Sequence, residues 1–342
     1  MLAMLMTVSG LTFAQEKVDR MPKISGFVQG LYQADFNNDF ELQENTFKAR
    51  RIRLSVSGNL TKKLTYKIQG DFTRSPMLVD ALVKYKFNDA IAIQAGQFKI
   101  PFTMETAINP LNLEIFDYGE VISKMVGYKD VCGVGAIGRD LGIMVSGKLF
   151  QVESNNKEFH LVEYAAGVFN GNGANVVDNN NRKDIVARIE FHPWLKDLTL
   201  TGSIYNGKFL NSDSVYGDRN RWSFGAQFKN EKVVVRAEYV GGETGQNTSF
   251  AEFDNLKSTG YYAVAGYNFN LGKNKTQVLM PVLRYDYMNA NTDGTDKGKN
   301  IFTVGVNYWP VGCLNFKLDY SLISPESGDK SHRIAALLSY KF

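Results

Sequence analysis

After the first fifteen positions the chain holds no run of about eighteen apolar residues, so spanning helices are excluded. Cysteine is nearly absent: 2 residues in 342 cannot form a disulfide scaffold. Histidine numbers only 3, and no metal-ligand cluster, phosphate loop or dinucleotide fingerprint is present. No metal, cofactor or nucleic-acid partner is therefore expected. Charge is close to balance, with 39 basic and 35 acidic residues for a formal +4. Proline is rare at 8, whereas Phe (23), Tyr (17) and Gly (31) are abundant. Aromatics at 13% and many β-branched residues exclude a disordered chain. This composition points to a large all-β protein with aromatic-edged strands.

The dominant pattern is alternation with period 2, which puts i, i+2 and i+4 on one face of a strand. FKARRIRLSVS at 47–57 sets Ile52, Leu54 and Val56 against Arg51, Arg53, Ser55 and Ser57. LNFKLDYSL at 314–322 repeats the pattern with Leu314, Phe316, Leu318, Tyr320 and Leu322 on one side. Sixteen such segments are predicted, near 23–34, 47–58, 63–73, 78–87, 90–98, 141–150, 160–169, 184–192, 197–206, 219–229, 232–241, 258–269, 276–288, 299–309, 314–323 and 331–342. Each is about ten residues, enough for a tilted strand to cross an outer membrane. Short turns alternate with long Gly/Asn/Asp-rich links, except at 74–77 and 151–159. A transmembrane barrel produces that rhythm, with tight periplasmic turns and longer outer loops. A soluble sandwich or propeller explains the strands but not the turn lengths. The expected fold is thus all-β, a transmembrane antiparallel up-and-down β-barrel of about sixteen strands.

Energy decides which face meets lipid. An Arg or Lys on the lipid side at the midplane costs roughly 2–4 kcal/mol, so the charged faces must point inward. Tyr66, Phe87, Trp222, Phe228, Tyr239, Tyr267, Phe302, Tyr308, Tyr320 and Tyr340 then fall on the outer face, where those near strand ends can form interfacial girdles. Inside, Lys23, Arg51, Arg53, Lys67, Lys84, Lys86, Lys148, Arg188, Arg221, Lys229, Arg236, Arg284, Lys317, Arg333 and Lys341 face only Asp71, Asp80, Glu190, Glu238, Asp286 and Asp319. Same-face spacing pairs Arg236 with Glu238, Arg284 with Asp286 and Lys317 with Asp319, and still leaves an excess of positive charge. Low-dielectric walls focus that excess into a field favouring anions.

The longest link, 99–140, is the third outer loop. Phe102, Met104, Ile108, Leu111, Leu113, Ile115 and Phe116 make it too apolar for a solvated loop, so it is expected to fold inward and narrow the lumen. Lys99, Lys124, Lys129 and Arg139 add positive charge there, tempered by Glu105, Glu114, Asp117 and Glu120. Cys132 in this loop and Cys313 in a periplasmic turn lie on opposite sides of the membrane, beyond disulfide reach, and are expected as free thiols. Residues 1–14 read as a secretory signal, leaving 15–342 as a single barrel domain with 99–140 as its constriction loop. A C-terminal strand ending in Phe342 resembles the signature read by the outer-membrane assembly machinery.

RRIRLSVSGNL at 50–60, QGDF at 69–72, DALVKYKF at 80–87, GQFKIPFTMET at 96–106 and GRDLGIMVSG at 138–147, in that order, resemble the phosphate-selective porin family of Gram-negative outer membranes, the O and P type. The likeness is strongest over 23–150. It implies a trimeric sixteen-stranded barrel with inward-folded loops and a basic pore passing small anions, phosphate being one candidate. By motif, Arg51 and Arg53 fall in the basic strand, Lys99 in the segment before the constriction loop, and Arg139 in the segment returning to the wall. The candidate pore-lining and anion-binding residues are therefore Arg51, Arg53, Lys67, Lys84, Lys86, Lys99, Arg139, Lys148, Arg188, Arg236 and Arg284. Two other readings stay open. One is a plugged barrel whose loops 170–183 and 242–257 bind a surface ligand. The other is an outer-membrane hydrolase using Ser331 and His332, although adjacent strand residues point to opposite faces.

Overall fold

The computed structural model describes residues 18–126, 130–132, 138–154, 157–193, 197–210, 216–245, 255–272, 276–292 and 298–342. The segment 1–14 expected as a secretory signal, Lys129 and most of the tip of 242–257 lie outside these residues. The strands are β1 (Lys23–Phe36), β2 (Leu42–Asn59), β3 (Leu64–Asp71), β4 (Leu78–Lys86), β5 (Ala92–Lys99), β6 (Arg139–Ser154), β7 (Lys157–Phe169), β8 (Asp184–Phe191), β9 (Leu198–Leu210), β10 (Tyr216–Lys229), β11 (Val233–Gly245), β12 (Asn255–Tyr267), β13 (Phe269–Leu271), β14 (Gln277–Asn289), β15 (Lys299–Val311), β16 (Leu314–Pro325) and β17 (Ser331–Lys341). The short β13 continues β12 across Asn268, and both pair with β14, so the wall has sixteen spans.

Every span pairs antiparallel with its neighbours in sequence, and β1 pairs with both β2 and β17, closing the sheet. Closure removes the free edges that lipid could not hydrate. Phe342 completes the seam: its N–H and carbonyl each bond Gly26 at 3.0 Å. A Cβ on Gly26 would collide with the Phe342 ring, so glycine is required at this crossing.

Alternation sorts the side chains as polarity demands. Ile189, Ile204, Phe224, Leu283, Leu318 and Leu338 are exposed on the outer face, where lipid rather than water surrounds them. On that face Trp222 stacks on Tyr239 at 5.2 Å between centroids, and Tyr239 lies parallel to Tyr261 at 6.3 Å. Arg51, Arg53, Arg236, Arg284 and Lys317 are buried inside.

One strand departs from simple alternation. The β1–β2 register runs from Lys23↔Ser57 to Gln29↔Arg51 and resumes at Gly30↔Ala49, leaving Arg50 as the extra residue of a bulge. The bulge re-phases the outer half of β2. Lys48 opposes Leu31 and turns inward, while Phe47 opposes the outward Tyr32. Two consecutive arginines in a transmembrane strand otherwise force one into lipid, at roughly 2–4 kcal/mol.

Leu318→Arg would put a cation on the outer face near the middle of β16. The expected loss is about 2–4 kcal/mol, read as a lower urea midpoint for refolding into lipid vesicles. Asn315→Arg, on the lumen face of the same strand, should cost far less in that titration.

Candidate functional site

The loop between β5 and β6 runs inside the barrel. It carries α1 (Met104–Ala107), a 3₁₀ turn (Pro110–Asn112) and α2 (Glu120–Met125). Its start is fixed at Thr103, whose positive φ of 60° is unusual for a β-branched residue. Arg188 donates to the Thr103 carbonyl at 3.1 Å, and Met104 N–H donates to Glu238 at 2.7 Å. Further on, Phe116 N–H donates to Asp319 at 2.7 Å, Asn307 donates to the Glu114 carbonyl at 2.7 Å, and the Lys317 ammonium donates to the Leu113 carbonyl.

The loop's carboxylates meet the arginines of the wall. Glu105 takes both terminal nitrogens of Arg284, each at 2.9 Å, and Asp286 binds the same guanidinium at 2.7 Å. Glu114 pairs with Arg236 at 2.5 Å, and Asp130 with Arg221 at 2.6 and 2.7 Å. Asp117 joins Arg51 at 2.7 Å and also Arg50. Apolar contacts complete the docking: Phe102, Ile115, Val121, Ile122 and Met125 cover Val234, Val240, Val264 and Val282 on the inner wall. At Gly119 the backbone passes so close to Arg284 and Asp286 that a Cβ would overlap both.

Burial and the arginines oppose each other at these carboxyls. Burial pushes Asp130 toward its neutral form, but Arg221 and then Arg219 overcome it and hold the group down at about 2. Asp117, beside Arg51 and Arg50, and Glu114, beside Arg236, are likewise held below the ordinary range against burial. Glu105, fully buried, is pushed up by that burial despite Arg284. Burial also raises the Cys132 thiol, which contacts Asp130 and Arg219. Cys132 and Cys313 are both free thiols.

The loop covers β10–β16 and touches β8 and β9 through Val186, Arg188 and Tyr205, while β1–β6 form most of the open wall. Between the loop at Ala107, Asn109 and Pro110 and the open wall lies a basin of about 320 Å³. Arg53, Lys67, Lys99 and Arg139 line it against Asp80. Asp80 binds Lys67 at 2.7 Å and Arg139 at 2.6 Å, and Arg53 binds Asp71 at 2.9 Å. Among the described residues Lys99 hydrogen-bonds only carbonyls, of which Ile108 is nearest at 2.9 Å. One rung further along β4 and β5 a periplasmic basin of about 310 Å³ begins, lined by Lys84, Lys86, Lys148 and Arg188 with Asp89, Glu163 and Glu190. Arg188 pairs with Glu190 at 2.9 Å and Lys148 with Glu163 at 2.6 Å, and Lys86 pairs with Asp89. Among the described residues Lys84 has no carboxylate partner.

Several expectations are corrected. Arg236 and Arg284 do point inward, but they lie beneath the loop and do not face the open lumen. Arg51 is 1% exposed and tied to Asp117 and Gln29. Arg236 reaches Glu238 through the Tyr262 hydroxyl, and Lys317 bonds the loop where pairing with Asp319 was expected. Loop 170–183 also turns inward, for Asn175 and Gln97 bond reciprocally at 2.7 and 3.3 Å and Asn175 reaches the Leu78 carbonyl. Lys48 and Arg50 were missed, since strict alternation hides residues beyond a bulge. The Arg50-Arg51 doublet was the available signal.

A family model described as "Phosphate-selective porin O and P" matches residues 23–333. The chain belongs to that family. The porin has no match among curated protein sequences. Solved structures give its fold: the anion-selective porin of Comamonas acidovorans matches with 11% identity, a TM-score of 0.69, and 95% of this chain and 100% of that one covered. Salmonella typhi OmpF, in complex with daunomycin, matches with 13% identity, a TM-score of 0.65 and coverages of 94% and 98%. The channel DcaP of Acinetobacter baumannii has 14% identity, a TM-score of 0.64 and coverages of 96% and 100%. The porin is an outer-membrane anion channel of the Gram-negative type.

Glu114→Ala strands the buried Arg236 guanidinium and is expected to cost about 3–5 kcal/mol. The checks are a lower urea midpoint and a larger single-channel conductance as the loop loosens. Asp130 supplies a pH prediction. Its folded value lies below the ordinary 3.8, so its contribution is complete above that pH and disappears as pH falls through about 2. Hydrogen exchange should therefore find α2 still protected at pH 4.

Proposed function

We propose that the porin passes small anions in general, with no dedicated phosphate site, along the open wall of β1–β6. The division of labour between arginine and lysine carries this reading. Phosphate recognition favours the planar bidentate fork of arginine. Here the forks of Arg221, Arg236 and Arg284 are occupied by carboxylates, and Arg51, Arg53 and Arg139 are each paired. Lys84, which has no carboxylate partner among the described residues, is a point charge that attracts anions with little regard for shape. The path runs from the outer vestibule to Arg53, Lys67, Lys99 and Arg139, then by Lys84 to Lys86 and Lys148, with Arg188 of β8 facing them across the inner basin.

A channel is favoured over a plug because the docked loop leaves basins along the open wall. It is favoured over a hydrolase because the His332 Nδ1 is engaged by the Tyr320 hydroxyl at 2.7 Å and its ring stacks against Phe40. Ser331 turns to the other face. Residues 1–14 are a secretory leader in this reading, and Phe342 is the handle for outer-membrane assembly. The assembly is a trimer: the small outward residues Gly30, Ala49 and Ala336 leave an apolar notch of about 640 Å³ across β1, β2 and β17, a seat for a neighbouring barrel.

Planar-bilayer recording under a potassium chloride gradient tests the reading. The reversal potential should lie on the chloride side, and phosphate added at low concentration should give no saturable block. Lys84→Glu with Lys99→Glu should lower the chloride preference several-fold. A saturable phosphate block would mean that a specific phosphate site exists.

A further inference from the structure

The outer vestibule does not resemble the wall of a channel built only for hydrated inorganic ions. It is a basin of about 540 Å³ enclosed by β1, β2, β15, β16, β17 and the loop. Leu31, Phe116, Ile301 and Ile323 converge on it. Phe116, Ile301 and Ile323 remain partly exposed there, although they face the lumen and not lipid. The register confirms the direction: Ile301 pairs with Ile323 and lies two residues from the buried Thr303, which bonds Ser321 at 2.8 Å inside the barrel. Apolar surface held against water is unfavourable by about 25 cal/mol per Å², and a path for chloride gains nothing from it.

Cations frame the same basin. Three of them are already paired: Lys299 with Glu120 at 2.6 Å, Arg333 with Asp35 at 2.6 Å, and Arg50 with Asp117. Lys48 from β2 and Lys124 from α2 also line it, and neither forms a direct ion pair among the described residues, although Asp117 and Asp35 lie near enough to attract Lys48. Ammonium groups free of a direct ion pair, beside an apolar floor, are the two halves of a site for an amphiphilic anion.

We propose that this vestibule captures organic anions, meaning carboxylates with an apolar body, before they enter the channel. The carboxylate sits with Lys48 and Lys124, and the apolar body lies on Ile301, Ile323 and Phe116. The inference rests on the anion-channel reading and adds a substrate class to it.

Benzoate and acetate separate the two ideas, because they share a charge and differ in apolar surface. Each is titrated against the chloride current of the purified porin in a planar bilayer. Benzoate is expected to block at a concentration at least tenfold below acetate. Ile301→Ser with Ile323→Ser should shrink that ratio, and Lys48→Ala with Lys124→Ala should weaken benzoate block itself. An anion-selective channel in which benzoate and acetate act alike would overturn the vestibule site alone. A cation-selective reversal potential would overturn the channel reading together with it. The benzoate-to-acetate ratio of the unaltered protein decides the matter even where a variant fails to fold.

Discussion

Arginines inside a barrel wall must either face water or find a carboxylate. That requirement organises this porin. Once the loop of 99–140 covers β10–β16, Arg221, Arg236 and Arg284 lose their water, and an uncompensated buried charge would cost several kcal/mol. Asp130, Glu114 and Glu105 meet them, each carried on the segment that does the covering. The ion pairs therefore act less as a source of net stability than as a fixed address for each turn of the loop. The apolar contacts of Phe102, Val121, Ile122 and Met125 supply the driving force, and the pairs dictate where it is applied.

The barrel was legible from the chain because polarity in a membrane strand is nearly binary. Ile52 and Arg53 cannot exchange faces without a large penalty, so alternation reports orientation directly. The inward folding of the third loop could also be read, since Phe102, Ile115 and Phe116 had nowhere else to go. Which charges would face the lumen could not be read, because that depends on which part of the wall the loop covers. Val234, Val240, Val264 and Val282, at inward positions, were the available sign of a covered sector. Alternation within a single strand carries no information on what packs over its inward face. The inward turn of 170–183 had no comparable sign: the reciprocal amide bonds of Asn175 and Gln97 arise from residues that look like any loop and any strand.

A division of labour between the two cations follows. Arginine, with a planar fork and a persistent charge, holds loop to wall. Lysine, compact and strongly hydrated, is left to present charge to passing solutes at Lys84, although Lys317 and Lys299 also hold the loop. A tally of inward basic residues mixes these roles and overstates the field in the lumen, because each clamped guanidinium is matched by a carboxylate a few ångströms away. The surplus is carried by a few residues on the open side of the barrel.

The bulge at Arg50 makes strand length, more than residue identity, the sensitive quantity in β2. The outer half, Leu42–Ala49, keeps its facing only because one residue is counted on β2 and not on β1. Removing that residue would exchange the two faces of this half-strand at a stroke, turning Lys48 to lipid and Phe47 to the water column. Single substitutions along the same stretch change one contact each. Insertions and deletions, not substitutions, are thus the changes this strand can least absorb, and it should drift in composition while holding its count.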